Sequence, residues 1–348
     1  MAQELTLICP GQGSERLSAL LATALKERHY QRVSWLTDSL RNRRLLVAAA
    51  IPPSGVNLEL YQFLAFLRTH PGCLEGSVGS IVIDGTGDLY TKAAGRELVL
   101  SASQVGCVFP GRPLVEATGS LRNFTVQAKN AGCGLEEAYR LAISDLMDRV
   151  TGFALPKRQR PKLLVLHASS RTTSNTLALW SRVRAHLEDR CHITEVGLRN
   201  GTMEDCAGCP YTTCLHFGEQ GECFYGGVMV QEVYPAIREA DAVVLLCPNY
   251  NDALSANLSA CINRLTALYR TTSFADKAVF AIVVSGYSGG DIVARQVVSA
   301  LNMNKGFWLP DRFCMLETAN DKGEAMALPG IGERAEQFAR NMLRQLTV

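Results

Sequence analysis

The sequence predicts an α/β protein built on parallel sheets covered by helices on both faces. Three observations carry that prediction. From residue 162 onward, short apolar runs alternate with helical patterns. Three of the runs, Lys162–Leu166, Ala242–Cys247 and Ala278–Val284, are almost continuously apolar, as strands buried on both faces are. Each of the three feeds a loop of small and polar residues that opens into a helix, the strand–loop–helix unit of a doubly wound sheet. In such a sheet ligands sit beyond the carboxyl ends of the strands, where these loops lie.

The elements follow in order. Leu5–Cys9 reads as a short strand, with the turn Pro10-Gly-Gln-Gly-Ser14 and a helix from Glu15 to about Arg28. Leu45–Ala50 is the next strand, followed by a helix near Leu58–Arg68, the strand Ser80–Asp84 and a helix near Thr91–Ser101. Gly85–Tyr90 is expected to occupy the place that Pro248–Asn251 holds in the second half. The first half thus reads as a worn copy of the second, and an unrelated α/β domain of similar size is the alternative. In the second half the weaker strand Ile193–Leu198 joins the three apolar ones. Helical patterns cover Leu177–Glu188, Val228–Glu239, Ser255–Tyr269, Gly290–Leu301 and about Glu333–Leu346.

At 348 residues two domains are expected. Pro156-Lys-Arg-Gln-Arg-Pro161 carries two prolines around three basic residues and reads as a linker (156–161), with domains over 1–155 and 162–348. Hydrophobic residues at 47 % against 20 % charged place the chain among ordinary globular proteins. A net charge of +2 gives no reason to invoke nucleic acid or an anionic membrane. No stretch approaches the about 18 to 20 apolar residues of a spanning helix, and the opening residues lack the basic head and apolar run of a secretory signal. The expected setting is cytoplasmic.

Three loops bear chemistry. His167-Ala-Ser-Ser-Arg-Thr-Thr-Ser-Asn-Thr176 precedes a helix start, where unpaired N–H groups and the dipole favour an anion. Ser169, Ser170, Thr172, Ser174, Asn175 and Thr176 add donors and Arg171 adds charge, more than a simple cap requires. The Gly-x4-Gly-Lys-Ser/Thr and GxGxxG patterns are missing. Pro248-Asn-Tyr-Asn251 ends a buried strand and offers a flat ring in Tyr250 and two amides, the means to hold a planar heterocycle; a plain turn is the alternative. Ser285-Gly-Tyr-Ser-Gly-Gly290 has three glycines that permit close backbone approach, or simply a tight turn.

Together these residues resemble the NADPH-dependent FMN reductase branch of the flavodoxin-like superfamily over 162 to about 305. The family's Gly-Ser-x-Arg-x-x-Ser-Asn-Thr is met by Ala168–Thr176, which departs only at the opening glycine. Its Pro-x-Tyr, Ser-Ala-x-Leu and Asp/Asn-Arg are met by Pro248-Asn-Tyr250, Ser255-Ala-Asn-Leu258 and Asn263-Arg264, with Ser259 where a lysine is common. The resemblance implies a flavodoxin-like sheet and bound FMN. Ser169, Arg171, Ser174, Asn175 and Thr176 would surround the phosphate, Pro248, Asn249, Tyr250 and Asn251 the isoalloxazine, and Ser285, Gly286 and Tyr287 its far edge. It implies NAD(P)H as electron donor, a quinone, nitro or azo compound or metal ion as acceptor, and a homodimer. The first half lacks these motifs.

Twelve cysteines is a high count. Cys9, Cys107, Cys247 and Cys261 lie in apolar segments as small buried hydrophobes. Cys206-x2-Cys209-x4-Cys214-x8-Cys223 is a cluster with two readings: ligands of a [4Fe–4S] cluster or zinc, or free thiols or a redox disulfide. His192 and His216 lie nearby and read as surface residues. An iron–sulfur flavoprotein and a non-catalytic flavin-binding or scaffold protein remain the alternatives to an FMN-dependent oxidoreductase.

Overall fold

The computed structural model describes residues 4–169 and 174–348. The chain divides into two compact units, Met1–Ala154 and Leu155–Val348.

The second unit has a five-stranded, wholly parallel sheet: β7 (Lys162–His167), β8 (His192–Gly197), β9 (Ala242–Pro248), β10 (Ala278–Ser285) and β11 (Cys314–Thr318). The order across the sheet is β8-β7-β9-β10-β11. Counted within the unit this is 2-1-3-4-5, the flavodoxin-like order with its switch point between the first and third strands. Every residue of β10 is buried, as are Leu163–Leu166 and Ala242–Cys247, which is why these strands read as unbroken apolar runs. The edge strand β8 buries only Val196, so its sequence looks weaker. Around the sheet lie α6 (Asn175–Arg184), α7 (Tyr211–Glu219), α8 (Tyr234–Glu239), α9 (Ala256–Tyr269), α10 (Gly290–Val297), α11 (Glu324–Ala327) and α12 (Ile331–Leu346). Two expected helices change pitch: Met229–Val233 before α8 and Val298–Lys305 after α10 are wider π-helical turns. Arg158, in the basic Pro156–Pro161 segment, pairs with the end of the chain through its N–H to Leu346 O (2.8 Å) and its carbonyl from Val348 N (3.2 Å).

The first unit has strands β1 (Leu5–Ile8), β2 (Tyr30–Arg32), β3 (Arg44–Ile51), β4 (Ser77–Gly85), β5 (Cys107–Val108) and β6 (Leu114–Ala117). They run in the order β2-β1-β3-β4, with β5 and β6 pairing in succession along β4. This is again 2-1-3-4-5, with the fifth strand broken in two, so the first unit is a second flavodoxin-like sheet. Its helices are α1 (Glu15–Leu25), α2 (Leu58–Thr69), α3 (Thr91–Gln104), α4 (Thr125–Ala131) and α5 (Leu135–Gly152).

The topology corrects one correspondence. Gly85–Tyr90 follows the fourth strand of its unit, so its counterpart is Ser285–Gly290 and not Pro248–Asn251. The counterpart of Pro248–Asn251 is the Pro52–Asn57 turn after β3. The shift arises because β2 is three exposed residues with no apolar pattern, so the strand count in the first half falls one short.

Candidate functional site

The site lies at the carboxyl edge of the second sheet. After β7 the chain bends at His167, whose Nδ1 meets Ser169 O at 3.0 Å. Arg171, with Ser170 and Thr172, lies outside the described residues. Ser174 caps α6: its Oγ accepts from Leu177 N at 3.4 Å and lies 2.8 Å from Thr176 Oγ1. Thr176 is buried in the first turn. The Asn175 side chain is committed elsewhere. Its Nδ2 donates to Asp321 O (2.9 Å) and its Oδ1 accepts from Gly323 N (3.1 Å). What Asn175 offers a ligand is its backbone N–H at the start of α6, one of the donors with no partner inside the helix.

The loops after β9 and β10 are stitched by one side chain. Asn249 Nδ2 is within reach of Ser285 Oγ (3.1 Å), Ser288 O (3.0 Å) and Asp252 Oδ1 (3.2 Å), and its backbone N–H donates to Val284 O (2.8 Å). Beyond it, Tyr250 and Ala253 pair across Asn251 and Asp252, both at φ +55°. Two successive left-handed residues make a type I′ turn, which Asn and Asp tolerate best after glycine. Asn251 thus sits at a turn tip beside an exposed Tyr250. The turn is anchored by Gln296 of α10, which accepts from Leu254 N and donates to Asp252 O (2.9 and 2.8 Å). Gly289 lies at φ +82°, where a side chain is strained, and a Cβ would fall 2.0 Å from Asp252 Oδ1 and 3.0 Å from Asn249 Nδ2. Tyr287 projects into solvent at 83 % exposure, leaving a flat side chain available at the rim.

The structure brings the β9 and β10 loops together directly. The start of α6 reaches them through a segment that sequence reasoning missed, Thr318–Asp321 after β11. Ala319 N donates to Ser285 O at 2.8 Å, and Asp321 O accepts from Asn175. The signal was the buried run Phe313–Met315 just before it.

Two buried polar atoms at this edge have no hydrogen-bond partner among the described residues: Asn249 Oδ1 and the Oγ of Ser255, the residue preceding α9. Buried polar atoms are nearly always paired, so an orphaned acceptor and an orphaned hydroxyl at a loop cluster are capacity left for something else. Beneath the loops, complete burial pushes the Cys247 thiol far up, so it remains a neutral hydrophobe.

The cysteine segment folds against α9. Asn263 Nδ2 donates to Asp205 (3.0 Å), and Cys206 N donates to the same carboxylate oxygen (2.7 Å), bonds that hold the Asp205 carboxyl below its usual range. Arg264 Nη2 donates to Gly226 O at 2.7 Å. The Asn263-Arg264 pair is therefore a clamp on this segment. Cys206, Cys209, Cys214 and Cys223 line one cavity of about 220 Å³ with Phe217 and Phe224. They do not form a ligand set: among the described residues no group of three or more His, Cys, Asp or Glu side chains is arranged to hold a metal. Cys214 lies within α7, with Cys209 before that helix and Cys223 after it. All four are free thiols. His216 is exposed beside Gln220, and His192 is exposed on the edge strand.

Comparison with known proteins agrees with this picture. The sequence model of the family described as NADPH-dependent FMN reductase matches residues 161–321. No curated protein matches the chain. Among solved structures, a putative quinone reductase from Klebsiella pneumoniae is 16 % identical, covering 54 % of this chain and 86 % of its own at a TM-score of 0.40. An NAD(P)H:quinone oxidoreductase from Methanothermobacter marburgensis is 15 % identical over 53 % of this chain and 97 % of its own, with a TM-score of 0.40. An azoreductase from Bacillus anthracis is 15 % identical over 52 % and 97 %, with a TM-score of 0.39. No helix among the described residues is long and apolar enough to cross a membrane. Residues 161–321 match the model of the NADPH-dependent FMN reductase family, and their sheet has the flavodoxin-like strand order.

Proposed function

We propose that the second unit is an FMN-dependent NAD(P)H oxidoreductase that passes electrons to a small-molecule acceptor of the quinone, nitro or azo class. The observation that carries the reading is the stitched loop pair after β9 and β10 at the carboxyl edge, with Asn249 Oδ1 and Ser255 Oγ buried and unpartnered among the described residues. The donor set fits FMN. Ser169, Arg171, Ser174, Thr176 and the backbone N–H of Asn175 would hold the phosphate at the start of α6, where dipole and hydroxyls favour an anion. Pro248, Asn249, Tyr250 and Asn251 would flank the ring, and Ser285, Gly286 and Tyr287 its far edge.

FMN, when bound, supplies hydride acceptance from a nicotinamide and electron delivery to the acceptor. The chain's part is to bind, orient and exclude water. Asn249 fixes both ring-flanking loops with one amide, so their backbone N–H groups are positioned before a ligand arrives. The exposed rings of Tyr250 and Tyr287 give a planar nicotinamide or acceptor a surface to stack on.

The test is titration of the purified full chain with FMN, followed by flavin fluorescence. Saturable binding at one FMN per chain is expected. Absence of binding would overturn the reading.

A further inference from the structure

The first unit repeats the strand order of the second, and α1 follows β1 as α6 follows β7. By topology, the start of α1 is the first unit's anion seat. It is already occupied by a carboxylate of the chain itself. Asp84, the penultimate residue of β4, has no exposed surface. Ser14, the cap of α1, accepts from Leu17 N at 3.0 Å and donates its own proton to Asp84 Oδ2 at 2.7 Å. Arg16, in the first turn of α1, reaches back with Nε to both Asp84 oxygens (3.1 and 3.2 Å) and with Nη2 to Oδ1. Nη2 is also within reach of Gly85 O (2.9 Å) and Thr118 O (3.2 Å), and Nη1 donates to Gly119 O (3.3 Å), which closes the loops after β4 and β6 around the pair. Those loops touch: a Cβ on Gly119 would lie 2.5 Å from Thr86 O.

Tyr139 of α5 is wholly buried, within range of the charges of both Asp84 and Arg16, and its hydroxyl has no partner among the described residues. Burial and the Asp84 charge push this phenol up, so it stays a neutral donor. A helix start, a serine and an arginine are donors that an oxyanion can use. A buried carboxylate is tolerable only where such partners neutralise it.

We propose that Asp84 is the built-in occupant of the first unit's anion seat, and so a specificity-determining residue that bars phosphate-bearing ligands from that edge. Resting on the flavin reading of the second unit, this restricts the chain to one FMN. Removing the carboxylate while keeping Arg16 exposes a seat for an oxyanion.

The test uses the full chain saturated with FMN, and inorganic phosphate as the probe against chloride of equal ionic strength. Asp84→Ala, the milder Asp84→Asn, and Asp84→Ala combined with Arg16→Ala are compared with the parent protein by thermal unfolding. The second unit is common to all four, so differences belong to the first. Phosphate is expected to raise the Tm of both single variants by about 3–5 °C per tenfold increase above its dissociation constant. It should raise neither the parent nor the double variant in this way. Single variants that respond no more than the parent would overturn the proposal, as would a double variant that responds as the single variants do. If the chain takes no FMN, the flavin reading fails, while the same comparison without FMN still decides the role of Asp84.

Discussion

Replacing Asn249 by alanine removes a side chain that joins the two ring-flanking loops. Its Nδ2 faces three acceptors, Ser285 Oγ, Ser288 O and Asp252 Oδ1, all between 3.0 and 3.2 Å. An amide nitrogen carries two protons, so two of the three contacts are satisfied at a time. At about 1 kcal/mol net for each hydrogen bond, the loss is about 2 kcal/mol. The second unit runs from Leu155 to Val348, and for a unit of that size the expected fall in Tm of the FMN-free protein is about 4–8 °C. Flavin affinity should fall as well, by tenfold or more, because the loops lose their prior arrangement and the acceptor Asn249 Oδ1 is gone. The assays are calorimetry without FMN and fluorescence titration with it. A variant whose Tm drops by less than about 1 °C and whose FMN dissociation constant is unchanged would refute the stitching argument, since the hydrogen bonds would then contribute nothing net.

Other perturbations have defined outcomes. Gly289→Ala forces a side chain into a left-handed position at a cost of about 1–2 kcal/mol and drives its Cβ against Asp252, so both Tm and FMN affinity should fall; an unaltered Tm would show the turn to be free to relax. Arg171→Ala should weaken FMN by about 1.5–3 kcal/mol through loss of a charge-assisted contact, whereas Ser174→Ala should cost about 1 kcal/mol in stability through the lost cap as well as weakening FMN. Binding that survives both changes intact would exclude the start of α6 as the phosphate seat. Thiol titration at pH 8 should separate the cysteines. Burial pushes Cys191 up to about 11 and Cys261 up to about 12, and Cys247 and Cys314 higher still, so each stays protonated and silent until the chain unfolds. Exposed Cys206 should react in the native state, and rapid native labelling of Cys261 would contradict the packing of α9.

The legibility of the fold tracks how each element is buried. β7, β9 and β10 are covered on both faces and announce themselves as apolar runs, so the doubly wound sheet of the second unit follows from composition alone. β2 pairs with β1 through three exposed residues and leaves no pattern to read. The fifth strand of the first unit is broken into β5 and β6, each too short for periodicity to register. The candidate site divides in the same way. The loop sequences mark where a ligand would lie, because Pro, Asn, Gly and Ser have local backbone reasons to be there. The bonds from Asn249 to Ser285 and from Asn175 to Asp321 join residues 36 and 146 positions apart and exist only once the sheet orders the strands. The cysteine spacing left two readings open, a metal centre or free thiols, because spacing along the chain says nothing of how Cys206, Cys209, Cys214 and Cys223 face one another. Likewise, nothing local to Asp84 signals that it faces Ser14 and Arg16 across the sheet edge.

The central claim is tested most directly by anaerobic reduction of the FMN-loaded chain. NADPH or NADH should bleach one equivalent of bound flavin, and a quinone added afterwards should restore the oxidised spectrum with consumption of one equivalent of acceptor. A chain that holds FMN but is bleached by neither nicotinamide, while dithionite still reduces it, would contradict the assignment as an NAD(P)H oxidoreductase.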